Sequence, residues 1–236
     1  MKKTILLLSV LFGIANVNAG IKVYNRGIGG CNSAHALSSR FNREVAPLRA
    51  RIMILGFGTN DAMNSKSLVE PDAYAANIRK LIKKARENGT EVIALISVGP
   101  VIEEYVRTRH KYDFKESLAE RVNLYNNKLR EIAQEDNVVM VDFNQVLTAH
   151  GVNTEASSLI RNEANSGARD GIHLTVAGAD ELAKAVYKSI KSYVRDGDII
   201  VCFGDSLTLG PGLKGAGTVE GESYPARLNS ILQSGE

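Results

Sequence analysis

The chain has 236 residues, 44% of them hydrophobic and 23% charged. That is length enough for one well-buried core, with the composition of an ordinary globular protein. The formal net charge is +3, and Lys2 and Lys3 supply two of those charges, so the remainder is near neutral and no basic block points to nucleic acid.

Residues 1–19 read as a targeting segment. Lys2 and Lys3 form a positive start, Ile5 to Ile14 an apolar stretch, and Val17-Asn18-Ala19 a small-residue cleavage site before Gly20. The competing reading is a buried first strand or helix. The apolar stretch is too short for a comfortable membrane span, and no later run reaches eighteen apolar residues. The expectation is export, to a periplasm or the medium, with one domain over residues 20–236.

Ile21 to Tyr24 reads as the first strand, and Asn32 to Val45 as a helix with Ala36, Leu37, Phe41 and Val45 on one side. Ile52 to Leu55 is a second strand. Asp72 to Asn88 is a helix, with an acidic residue near its start and Gly89 at its stop. Val92 to Val98 is a third strand, Leu118 to Asp136 a helix, and Val138 to Val141 a fourth strand. Thr175 to Val194 is a long helix, Ile199 to Phe203 a fifth strand, and Tyr224 to Gln233 a closing helix. Strands apolar on both faces and separated by helices imply a parallel sheet covered on both sides. The expected fold is α/β: a three-layer, doubly wound, flavodoxin-like sheet of about five strands.

Such sheets bind ligands beyond the carboxyl ends of their strands. Four short blocks fall there: Gly27-Ile28-Gly29-Gly30, Gly58-Thr59-Asn60-Asp61, Asp170-Gly171-Ile172-His173 and Gly204-Asp205-Ser206-Leu207. The last follows the apolar Ile199 to Phe203 run, and Gly204 is expected to let the chain turn sharply and leave Ser206 at the mouth. Serine, histidine and aspartate are the ingredients of nucleophilic acyl transfer: the imidazole removes the serine proton and the carboxylate holds the imidazole. Glycine N–H groups and an asparagine amide can stabilise the developing oxyanion. Each block has a plainer reading as a helix cap or turn, and it is their joint placement that favours chemistry. Asp61 and Asp205 read as structural. His35, His110 and His150 read as surface residues without metal spacing.

The four blocks resemble the conserved elements of the SGNH/GDSL hydrolases, over essentially the whole of residues 20–236. The resemblance makes Ser206 the nucleophile, His173 the base and Asp170 its partner. It gives an oxyanion hole of the Ser206 N–H, the Gly30 N–H and the Asn60 side chain. It implies ester hydrolysis without metal or organic cofactor. The block order departs from the family's: the Gly-Asp-Ser-Leu block, normally first, comes last here. The cyclic order is kept, so the chain resembles a circular permutant, with Glu236 expected close to Gly20.

Two phosphate signatures fail. Asn32 occupies the last glycine position of a G-x-G-x-x-G reading, and the glycine-rich residues 210–223 lack Gly-Lys-Ser/Thr. That second segment reads as a mobile loop beside Ser206. Cys31 and Cys202 are expected as free buried thiols rather than a disulfide or zinc pair. The segments expected to meet substrate, Ala62 to Pro71, Pro100 to Lys115 and Pro211 to Glu222, carry few bulky apolar residues. The expected substrate is therefore a small-molecule or carbohydrate ester with a short acyl group, such as an acetyl or aryl ester. Alternatives are a lysophospholipase or thioesterase on longer chains, and a non-catalytic glycan-binding protein on the same fold. Nothing in the sequence speaks to oligomeric state.

Overall fold

The computed structural model describes residues 20–234, so the expected targeting segment and Glu236 lie outside the described residues. The chain runs through β1 (Lys22–Gly27), α1 (Ser33–His35), a π-helical stretch (Ala36–Val45) and a 3-10 turn (Ala46–Leu48), then β2 (Ile52–Gly56), α2 (Thr59–Met63) and α3 (Pro71–Glu87). It continues with β3 (Val92–Ile96), α4 (Glu103–Arg109), α5 (Leu118–Ile132), β4 (Val138–Val141), α6 (Phe143–His150) and α7 (Glu163–Ser166). It ends with α8 (Val176–Ile190), β5 (Ile199–Gly204), α9 (Ser206–Leu209) and α10 (Tyr224–Ser234).

The five strands form one parallel sheet in the order β1-β5-β2-β3-β4. The last strand of the chain is thus interior, paired to β1 on one side and β2 on the other. Alternation along the strands feeds two cores. Met53, Leu55, Val201 and Phe203 pack with Phe41, Ile78, Leu81 and Leu129 on one face. Ile52, Ile54, Ile200 and Cys202 pack with Leu182, Val186, Tyr224 and Leu228 on the other. Each such buried side chain contributes about 1.5–3 kcal/mol against exposure. Helix ends follow local chemistry: Pro71 opens α3, Ser117 and Glu120 form a reciprocal capping box on α5, and the Thr175 hydroxyl caps α8.

The expected strands are all present, β4 with the expected ends and the others with ends shifted by one to three residues. The expected helix over Asn32 to Val45 is mostly π-helical. Its i→i+5 bonding brings Ala36 and Phe41, five apart, onto the buried face, and Ala46 N–H donates to Phe41 O. Short helices α2, α4, α6, α7 and α9 were not anticipated, because a turn or two of helix carries too few residues to show a period. Cys31 and Cys202 are free and buried. The segment from Gly210 to Ser223, expected as a mobile loop, is pinned by Gly217 N–H to Leu209 O at 2.7 Å, Glu222 N–H to Lys214 O at 2.9 Å and Asn25 Nδ2 to Thr218 O at 3.2 Å. Among the described residues no helix is long and apolar enough to cross a membrane.

Candidate active site

Ser206 is the first residue of α9, just past the carboxyl end of the interior strand β5. Asp205 caps that helix, its carboxylate accepting from Leu207 N–H at 2.9 Å. The glycine before it serves close approach rather than a left-handed turn: a Cβ on Gly204 would lie 2.1 Å from Thr208 Oγ1 and 2.7 Å from Gly56 O.

Gly30 follows β1, the neighbour of β5 on one side. Its φ of 72° lies in the left-handed region, and the space around a Cβ is open, so backbone conformation alone calls for glycine here. Cys31 N–H closes the turn onto Ile28 O at 3.3 Å. Among the described residues, the Gly30 and Ser206 N–H groups have no intramolecular acceptor. Asn60 follows β2, the neighbour of β5 on the other side. Its Nδ2 donates to Cys31 O at 3.1 Å and to Asp205 Oδ2 at 3.3 Å, while its Oδ1 accepts from Asn64 at 3.1 Å. Asp61, fully buried, accepts from Ser33 N–H at 3.0 Å and Ser33 Oγ at 2.5 Å. Asp61 and Asp205 both have the structural partners expected of them.

Burial pushes the Asp205 carboxyl up to about 7; the Leu207 N–H opposes this and nearby Asp61 adds to it. Burial likewise pushes Asp61 up to about 6, against the two Ser33 hydrogen bonds. A carboxylate reluctant to ionise thus accepts from the Asn60 amide, and the charge of Asp61 adds to that reluctance.

Asp170 and His173 meet at close range. His173 Nδ1 lies 2.8 Å from Asp170 Oδ2, and Oδ1 accepts the backbone N–H of His173 at 2.9 Å and of Ile172 at 3.0 Å. Burial pushes the Asp170 carboxyl up, but the imidazole and these N–H groups outweigh it and hold the carboxyl well below the usual carboxylate range. With Nδ1 engaged as a donor, the neutral ring carries a lone pair on Nε2.

Neighbouring segments grip this loop. Ile102 N–H donates to Gly171 O at 2.9 Å, and Arg109 donates to Asp170 O. Arg161 N–H donates to His173 O at 2.7 Å, and Ile160 bridges Leu174 antiparallel. The sequence does not show these contacts, because all but the Arg109 one run through main-chain atoms that any residue carries.

Ser206, His173, Gly30 and Asn60 line one cavity of about 300 Å³, together with Arg109 and His110. His110, expected as a plain surface residue, is corrected to a half-buried wall residue of this cavity; burial first, then Arg109 and Lys66, lower its basicity. His35 and His150 are exposed. Among the described residues, Ser206 and His173 share no direct hydrogen bond; such bonds are often long in free enzymes and tighten with substrate. A hydroxyl, an imidazole oriented by a carboxylate, and free N–H donors around one cavity suit nucleophilic acyl transfer. Among the described residues no group of three or more His, Cys, Asp or Glu side chains is gathered as a metal site.

The model of the GDSL-like lipase/acylhydrolase family matches residues 11–180, over half of the chain. No curated protein matches it. Among solved structures, a GDSL-like lipase from Bacteroides thetaiotaomicron is similar with a TM-score of 0.56 at 22% identity, over 72% of this chain and 75% of that one. A catalytic mutant of an acetylxylan esterase from Geobacillus stearothermophilus gives 0.52 at 22% identity, over 72% and 73%. A lipase/acylhydrolase from Enterococcus faecalis gives 0.52 at 19% identity, over 71% and 74%.

Proposed function

Because the chain belongs to the GDSL-like lipase/acylhydrolase family, we propose that it is an exported serine esterase acting on short acyl esters of small alcohols or sugars. The observation that carries this reading is that His173, held by Asp170, lines the same cavity as Ser206, with Gly30 and Asn60 beside them.

In this reading Ser206 Oγ attacks the ester carbonyl carbon while His173 Nε2 takes its proton. Asp170 holds the ring and stabilises the imidazolium. The carbonyl oxygen, now an oxyanion, is met by the Ser206 and Gly30 N–H groups and the Asn60 amide. The tetrahedral intermediate expels the alcohol, which takes its proton from His173. Water, deprotonated by the same imidazole, attacks the acyl-serine carbonyl carbon; the second tetrahedral intermediate expels Ser206 Oγ, which takes the proton back from His173, and the acid leaves. No step asks for a metal or an organic cofactor.

The Lys2-Lys3 start, the apolar stretch and the Ala19 site support export. The reading includes a circularly permuted chain. Three features support that: β5 comes last but pairs between β1 and β2, the family match ends before Ser206, and Gln233 Nε2 in α10 donates to Ile21 O at 2.8 Å beside β1. Joining such neighbouring ends costs the fold little.

The cavity volume of about 300 Å³ favours a short acyl group. The test is a hydrolysis screen of acetyl, butyryl and palmitoyl esters of one alcohol, with acetylated sugars alongside. Turnover should fall with acyl length. A palmitoyl preference would replace the short-acyl reading by a lipase or thioesterase one.

A further inference from the structure

We propose that Arg40 is a positioning residue for the oxyanion donors, holding the Gly30 turn and the Ser206 helix in fixed relation; the inference rests on the esterase reading above. Arg40 is only 1% exposed, among the largest side chains buried in the protein. One guanidinium edge faces Glu44, with Nε at 3.0 Å and Nη2 at 2.8 Å from its carboxylate. The remaining contacts reach the segments that lead into the site. Nη1 donates to Cys31 Sγ at 3.1 Å and to Gly204 O at 3.2 Å, and Nη2 donates to Arg26 O at 2.8 Å. The guanidinium lies 4.9 Å from the Phe203 ring centroid, the residue that leads β5 into its glycine.

One planar group therefore ties together the end of β1, the residue after Gly30 and the residue two before Ser206. Cys31 extends the connection to the third donor, since its carbonyl accepts the Asn60 amide at 3.1 Å. Gly30 is joined by chain adjacency, Asn60 by a hydrogen bond and Ser206 by two residues of chain, all converging on the Cys31–Arg40–Gly204 link. Only arginine offers donors in a fixed planar fork that can serve acceptors on three segments at once. Stability alone is a weak reason for this choice, because buried ion pairs can often be replaced by apolar side chains without loss. The π-helical stretch that carries Arg40 is a rare conformation, and such segments recur at functional sites.

The plainer account is that Arg40 merely satisfies buried acceptors. In that case its replacement shifts the melting temperature and leaves the kcat of folded protein alone. The two accounts separate in steady-state kinetics on an acetyl ester, measured well below each variant's melting temperature. Arg40→Met and Arg40→Lys should both lower kcat, by up to about 100-fold, the scale of a misplacement near 1 Å, with little change in KM. Lysine keeps the charge and loses the fork, so it should not rescue. A second pair leaves the buried charge in place. Cys31→Val removes one acceptor and should lower kcat, and Cys31→Ser, whose hydroxyl accepts, should restore most of it. The Cys31 pair decides if Arg40→Met does not fold.

An active wild type with unchanged kcat in folded Arg40→Met, or with Cys31→Ser as impaired as Cys31→Val, would overturn the positioning role alone. A wild type that neither hydrolyses esters nor reacts with a serine-directed phosphonate would overturn the esterase reading and this inference with it.

Discussion

Asp170 holds His173 by ring and backbone together, its carboxylate 2.8 Å from Nδ1 and 2.9 Å from the backbone N–H of the same residue. A carboxylate that fixes both the loop and the imidazole sets which ring nitrogen faces the cavity. Asp170→Asn should therefore leave the fold in place, since an amide oxygen can still accept the backbone N–H. It should lower kcat by about 10²–10⁴-fold, because the ring loses both its tautomer and its counter-charge. Circular dichroism and steady-state rates on one acetyl ester check this; wild-type turnover would reduce Asp170 to a loop tether.

Asn60 presents an amide already oriented by Cys31 O, Asp205 and Asn64. An oxyanion in the cavity competes for that amide with Asp205, its longer contact at 3.3 Å. Asn60→Ala should lower kcat more than it raises KM, at about 2.7–4 kcal/mol of transition-state stabilisation. Turnover equal to wild type would assign Asn60 to structure.

The buried carboxylates give a pH signature. Asp205 rises from an ordinary 3.8 to about 7 on folding, through burial above all. Between those values the native state keeps a proton that the unfolded chain has released. The stability this group confers therefore falls as pH rises from about 4 to about 7, and the cost persists above that. Asp205→Asn removes the titration. The melting temperature of the variant minus that of wild type should be more favourable at pH 8 than at pH 5. An equal difference at both pH values would contradict the burial argument. Asp61, pushed up to about 6, acts in the same direction and remains in the variant.

Much of this was legible in the sequence for a definite reason. Ser206, His173, Asp170, Gly30 and Asn60 sit in short blocks just past apolar strands, where side-chain chemistry and strand ends coincide. β2, β3, β4 and β5 were legible because they are apolar on both faces, whereas β1 carries Lys22, Asn25 and Arg26. What stayed hidden depends on contacts across the chain. Arg40 reads as one more polar residue on a helix, yet it is buried against Gly204, a residue 164 positions away. Arg109 and His110 lie in the segment from Pro100 to Lys115 expected to meet substrate, but nothing in it marks these two residues, and only the fold singles them out at the cavity wall. The π register of Ala36–Val45 was likewise invisible, because its five-residue spacing imitates an irregular α-helical face.

The central claim is that Ser206 is an activated nucleophile. Its most direct test is labelling of the purified protein with a serine-directed phosphonate, followed by peptide mass spectrometry. The account expects one adduct per chain, on Ser206, with ester hydrolysis lost in step. Folded Ser206→Ala should be unlabelled and inactive. Labelling at another residue, or hydrolysis retained by Ser206→Ala, would contradict it.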